Sequence, residues 1–275
     1  MSVPLPEFDN PPVTEVVLGV QFDPLDSIRS PQLGYVWQIF RDRFPATEEH
    51  PPLEPQIEQF GVKAGTEQGV RFELLTSLPT PRVWFLNGSG TELVQLQKDR
   101  FVRNWRKTDA VKAYPRYTFL RQQFVSDFDA FRGLVERENW GCLESNQCEV
   151  TYVNIIPCGR GWTEPGELAK VFTMFTPSYS DEGLGLPDGC ELSARFVLEN
   201  DGGEPVGRLH VAVASVVQVI DGSSAFRLTL TARGRPEGIG VEGILRSLDR
   251  GHEAIVRGFA SITTPQMHAI WGRKL

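Results

Sequence analysis

The sequence predicts an α+β fold built on a mainly antiparallel sheet, and three observations predict it. Short β-rich runs hold more residues than the helical stretches do, breaks such as Gly88-Ser89-Gly90, Lys98-Asp99 and Asp221-Gly222-Ser223 are too short to join parallel neighbours, and a long helical periodicity closes each half of the chain. With 275 residues, 40% of them hydrophobic and 23% charged, the chain can bury a real core. That balance excludes a disordered chain, a collagen and a coiled coil.

The elements follow in order. Val13 to Phe22 is apolar on both strand faces, with Val16, Leu18, Val20 and Phe22 on one and Val13, Val17 and Gly19 on the other, so it reads as a central strand. From Pro31 to Phe44, Leu33, Val36, Trp37, Phe40 and Phe44 fall at helical spacing, with Pro31 in the first turn and Pro45 as the stop. His50 to Pro55 holds Pro51, Pro52 and Pro55 and must be an extended loop, because each proline fixes φ and removes a donor. Val70 to Thr76, Arg82 to Asn87, Glu92 to Gln97 and Arg100 to Arg106 make a meander. Tyr117 to Trp140 is a long helix with Leu120, Phe124, Phe128, Phe131, Leu134 and Val135 on one stripe and Gly141 as terminator.

The second half repeats the order. Glu149 to Ile156 is a strand, Pro165 to Phe175 a short helix and Pro177 to Gly189 a loop. Glu191 to Glu199, Gly207 to Ile220 and Ala225 to Arg233 are strands joined by hairpin sequences; in the third, Phe226, Leu228, Leu230 and Ala232 face inward. Gly240 to Ile262 closes the chain as a helix. Two strand-helix-antiparallel meander-helix units result, residues 1–141 and 142–275, packed as one compact body with the break near Gly141 to Asn146. This is a helix-grip or TATA-binding-protein-like arrangement, which holds ligands between sheet and helix or binds partners on the open sheet face.

The chemistry is narrowed mainly by exclusion. Cys142, Cys148, Cys158 and Cys190 lack the paired short spacing of a zinc site and read as reduced thiols. No Gly-x-Ser-x-Gly elbow, Gly-Lys-Ser/Thr phosphate loop or Gly-x-Gly-x-x-Gly turn occurs. Arg233 and Arg235 precede the last helix, where an anion or a plain loop could sit. The carboxylates Glu48-Glu49 and Asp127, Asp129 read as solvated surface. His252, four residues after Leu248 and three before Ile255, lies on the apolar face of the last helix, as a satisfied core histidine or the polar tip of a pocket. No cofactor or metal is expected. No run reaches the roughly 18 apolar residues of a membrane span and the acidic, Pro-rich start is unlike a signal peptide, so a cytoplasmic protein is expected.

Charge gives the one constellation. The chain carries −7, yet between Lys98 and Arg121 eight basic residues, Lys112 among them, face two acidic ones. Strand alternation in Arg100 to Lys107 places Arg100, Asn104 and Arg106 on one face and Phe101, Arg103 and Trp105 on the other, and Arg116 follows. Arg100, Arg103, Asn104, Trp105, Arg106, Lys107 and Arg116 are thus candidates for binding a partner or an anion. A protein partner and single-stranded nucleic acid, with bases on rings and phosphates on guanidinium groups, are the two functional readings. The alternative is structural, with Phe101 and Trp105 in the core and Arg103 stacked on Trp105 or paired with a helix carboxylate.

The motifs Pro11-Pro12-Val13-x-Glu15-Val16-Val17, Arg100-Phe101-x-Arg103-Asn104-Trp105-Arg106-Lys107, Tyr114-Pro115-Arg116-Tyr117 and Phe259-x-x-Ile262-Thr263-Thr264 resemble a sporadically distributed family of bacterial and archaeal proteins about this long. The resemblance implies one intact member without an extra domain. The family offers no activity to transfer, and its scatter implies a defence, toxin-neutralising or mobile-element role beside a neighbouring gene product. The expectation is a non-catalytic binding or interaction protein, with an enzyme or small-ligand carrier using a cavity near His252 as the alternative.

Overall fold

The chain opens with a two-residue strand, β1 (Glu7–Phe8), and enters the long β2 (Val13–Phe22) and α1 (Ser30–Phe40) in the computed structural model, which describes residues 4–61, 80–109, 113–176, 183, 185–218 and 221–274. There follow β3 (Ala46–His50), β4 (Arg82–Leu86), β5 (Glu92–Gln97), β6 (Arg100–Arg106) and α2 (Tyr117–Arg137). The second half runs β7 (Ser145–Pro157), a 3-10 turn (Pro165–Glu167), α3 (Leu168–Val171), β8 (Glu191–Glu199), β9 (Pro205–Val217), β10 (Ser224–Gly234), α4 (Gly240–Ile262), α5 (Pro265–Ile270) and β11 (Arg273–Lys274). The expected strand Val70 to Thr76 lies outside the described residues, as do Lys112 and most of the loop after Pro177.

Nine of the described strands form one antiparallel sheet in the order β3-β4-β5-β6-β2-β7-β10-β9-β8, while β1 pairs with β11. The α+β class read from the sequence is what the structure has. At the centre β2 pairs with β7, Val16 opposite Tyr152 and Leu18 opposite Val150. Counting outward from this pair, each half places next the last strand of its meander and then the earlier ones.

Where elements differ from the reading, the causes are local. The first helix stops at Phe40 because Arg41 to Arg43 turn tightly, with the Phe44 amide on the Phe40 carbonyl and Trp37 Nε1 donating to the Phe44 carbonyl. Phe44 still reaches the core, now from a turn. Glu48 and Glu49 lie on the edge strand β3, exposed on both faces, a strand made by pairing with β4 and not by burial. Asp127 is fully buried, for reasons given below.

The helices cover one face of the sheet. Phe101 on β6 packs on Phe124, Phe128 and Phe131 of α2, the Phe131 ring stacked 5.6 Å away at 20°. Each of these side chains stabilises the fold by about 1.5–3 kcal/mol over an exposed one. α4 lies across β7 and β10 with Leu248 and Ile255 on its buried side, and the buried apolar residues of both halves form one continuous cluster. Gly251 permits the close approach, since a Cβ there would sit 3.1 Å from Val150 and 3.3 Å from Ala232.

The opposite face is polar and is crossed by a strap, residues 51–61, which is extended as its prolines require. Leu53 exchanges two hydrogen bonds with Gln97 of β5, the Gln56 amide donates to Gln21 of β2, and Glu58 reaches Arg208 and His210 of β9. Among the described residues no helix is long and apolar enough to cross a membrane. The four cysteines are free, and no described cluster of His, Cys, Asp or Glu has the makings of a metal site.

Candidate ligand pocket at the last helix

The basic strand does not present a continuous charged surface. Arg103, Asn104 and Trp105 are buried. Arg103 points beneath α2, where its Nε lies 2.8 Å from Asp127 Oδ2 and a terminal nitrogen meets Glu92; Arg43 joins Asp127 from the other side. Its guanidinium lies over the Phe44 ring, not over Trp105. Two charges this deep require each other, which is why Asp127 is a core residue and not solvated surface. Asn104 donates to Glu15 and accepts from Gln95. Arg106 donates to the Gly90 carbonyl and Arg116 to the carbonyls of Phe8 and Asp9, so both serve the fold. Lys107 is exposed. Arg100 alone turns its charge into the polar sheet face, away from Arg103. Arg233, expected beside the last helix, sits on that same polar face and pairs with Glu149.

His252 lines a cavity of about 500 Å³ between α4, the central strands and the N-terminal segment. Leu5, Val13, Leu230, Ile255, Val256 and Phe259 supply an apolar wall. Val13 belongs to it because a register shift between Val13 and Glu15 turns the start of β2 toward the helices. Asn154, Thr118 and the charged Glu7, Arg116 and Lys274 also line it, and one group of polar side chains is joined around His252. His252 Nδ1 and the Tyr152 hydroxyl are 2.9 Å apart, and the hydroxyls of Tyr152 and Tyr114 are 2.8 Å apart. The Tyr117 ring stacks on His252 at 3.9 Å and 6°, held by its hydroxyl donating to Asp249, which in turn takes both ends of the Arg121 guanidinium. His252 Nε2 makes no hydrogen bond among the described residues.

The imidazole and the three phenols of this group are uncharged at neutral pH. Burial pushes His252 down to about 4, overriding the nearby carboxylates Asp249 and Glu253. Burial pushes Tyr114 up to about 12 against its bond from Tyr152, and raises Tyr152 well above the ordinary phenol range. Tyr117 is raised by burial and by the Asp249 carboxylate it donates to. Two proton arrangements satisfy the chain. If Tyr114 donates to Tyr152 and Tyr152 to Nδ1, then Nε2 is a donor; with both reversed, Nε2 is an acceptor. This group therefore meets a hydroxyl or a carbonyl equally well, and meets a full charge poorly.

Arg116 sits at the mouth with φ 73° and ψ 152°, a backbone region that costs a non-glycine residue about 1–3 kcal/mol. The strain aims its guanidinium at Phe8 and Asp9 and ties down the N-terminal segment that forms one wall. Sequence reasoning found His252 and missed Tyr114, Tyr117, Tyr152 and Asp249. The signal for Tyr152 was present: with Asn154 it is a polar residue in the inward register of β7 that also carries Cys148, Val150 and Ile156. No family model, curated protein or solved structure matches the chain, so the function rests on this geometry.

Proposed function

We propose that the protein is a non-catalytic binding protein whose ligand is a small, largely apolar molecule with one uncharged hydrogen-bonding end. The ligand lies between α4 and the sheet, its polar end on Tyr152 and His252. The observation that carries this reading is the cavity of about 500 Å³ at His252, with a largely apolar wall and a hydrogen-bonded cluster of Tyr114, Tyr152 and His252 in its lining, the form of a small-molecule site. A filled core at His252 would have supported an interaction protein alone. The ionisation of His252 supports binding over proton transfer, since a base near 4 is poorly matched to catalysis at neutral pH. On this reading each half is a helix-grip unit and the second has kept room under its helix.

A protein partner is the second reading, favoured by the edge strand β8, where Phe196 and Val197 are 45% and 49% exposed.

The test is titration with a neutral apolar dye, Nile red, followed by fluorescence. The wild type should bind one equivalent. Val256→Trp, which fills the cavity, should abolish binding. Tyr152→Phe should weaken it by about three- to tenfold, the worth of one neutral hydrogen bond. Equal binding by wild type and Val256→Trp would overturn the proposal.

A further inference from the structure

On the opposite face of the sheet, under the strap, lies a second, partly open cavity of about 170 Å³. Its floor comes from Arg82 of β4, Arg100 of β6, Gln147 of β7 and Arg233 of β10, and its roof from Leu53 and Gln56 of the strap. Hydrogen-bond donors here outnumber acceptors. Arg82 Nη1 donates to Gln95, and Arg100 Nη2 donates to Gln21 and to the Glu54 carbonyl, yet the Nε of each is buried without a partner. Gln147 is 2% exposed; its oxygen accepts from the Glu58 amide, and its Nε2 is likewise buried without a partner. Buried donors are normally satisfied, so three unsatisfied ones on residues that line one cavity favour an acceptor beside them.

The charges ask for the same thing. Three guanidinium groups line the cavity against one carboxylate, Glu149, which Arg233 already holds at 2.6 Å. Arg82 is pushed down by burial and by the Arg100 guanidinium, and Arg100 is pushed down by burial, with Arg233 adding to it, although Glu149 and Asp99 oppose the shift. The adjoining floor shows what this surface accepts. The strap's own Glu58, 6% exposed, sits with its carboxylate 2.6 Å from both Arg208 and His210 and 3.6 Å from Arg233.

We propose that this cavity binds a small phosphoryl oxyanion, inorganic phosphate or a compact phosphate monoester, held between the sheet floor and the strap. The donors approach from three different strands, which suits a tetrahedral group better than a planar carboxylate. The net +2 of the lining matches a phosphate dianion. The size limits the ligand: a cavity of about 150 Å³ holds a benzene ring, so phosphate fits here and a nucleotide does not. The roof of Leu53 and Gln56, tied to Gln97 and Gln21, excludes a polymer from the same floor. This site is independent of the pocket at His252, which lies on the helix side.

The experiment is calorimetric titration of the full chain with inorganic phosphate at constant ionic strength. The expected result is one-to-one binding that raises Tm beyond what chloride at equal ionic strength gives, as a ligand of the native state must. Arg82→Gln should weaken it about tenfold or more, the loss of a charged donor. Gln147→Glu should abolish binding and raise Tm without phosphate, because it places a carboxylate among the guanidinium groups; a merely structural glutamine would give a loss of stability. No binding up to about 20 mM, well past any specific affinity, overturns the proposal, as do equal affinities in wild type and Arg82→Gln. So does displacement of phosphate by a short single-stranded oligonucleotide, which would make the floor a polymer surface.

Discussion

Acidification should destabilise the native protein through His252 in particular. In the folded state burial holds this imidazole at about 4, while in the unfolded chain it titrates near its ordinary value of 6.5. Between those values the unfolded chain binds the proton and the folded one does not. Stability therefore rises with pH across this window and is lost as pH falls from about 6.5 toward 4. Going from about pH 7.5 to about pH 4.5, the linkage amounts to about 2.5 kcal/mol, a large part of a typical folding stability. The assay is urea unfolding of the wild type and of His252→Asn at several pH values, with constant m as the check on two-state behaviour. The Asn variant loses the stacking on Tyr117 at every pH, but the difference between the two proteins should shrink by about 2.5 kcal/mol on acidification. Other titrating groups, Glu58 and His268 among them, are common to both and cancel. Parallel pH profiles would refute the buried neutral imidazole, and with it the uncharged group around His252.

Further outcomes follow from other sites. Asp127→Ala should cost about 3–5 kcal/mol by denaturant unfolding, because it removes a buried partner of Arg103, and Arg103→Met in the same chain should recover part of the loss; a cost below about 1 kcal/mol would place Arg103 in solvent. Burial raises the Glu58 carboxyl, but bonds from Arg208 and His210 outweigh it and hold the group below the usual carboxylate range, so its stabilising effect is present above about 4.5 and fades as pH falls through the folded value. Glu58→Gln should accordingly be less stable than wild type at neutral pH, with the gap narrowing in acid; a gap that widens would contradict the strap contact. Gly207→Ala should destabilise by more than the roughly 0.4–1 kcal/mol that a tolerated Gly→Ala change can add, since the new Cβ would meet the Arg233 carbonyl at 2.6 Å between β9 and β10; a raised Tm would refute this packing.

The sequence showed most clearly those elements whose burial is regular. β10 alternates Phe226, Leu228, Leu230 and Ala232 into the core, and α4 carries Ile244, Leu248, Ile255 and Phe259 on its buried side, so both could be read from periodicity. β3 could not, because Ala46 to Glu49 bury nothing and exist as a strand only through pairing. β1 and β11 join distant parts of the chain through two residues each, which leaves no local pattern, and α5 announces itself only by Thr264 and Pro265 at its start. The site divides the same way. His252 stood out as a polar residue on an apolar helix face, whereas its partners come from β7, α2 and the loop before α2, brought together by the β2–β7 register. Asp127 was misjudged although it follows Phe124 by three and precedes Phe131 by four, a spacing that puts it on the buried face of α2. Its partner Arg103 was seen, but the pairing of these two requires the folded sheet.

Whether the cavity at His252 is a binding site is tested most directly by identifying what the protein carries. The wild type and Val256→Trp would be purified from the native host under identical conditions and denatured, and the released small molecules identified by mass spectrometry. The account predicts a neutral, largely apolar compound in the wild type and its absence from Val256→Trp; the same set of released molecules from both proteins would contradict it.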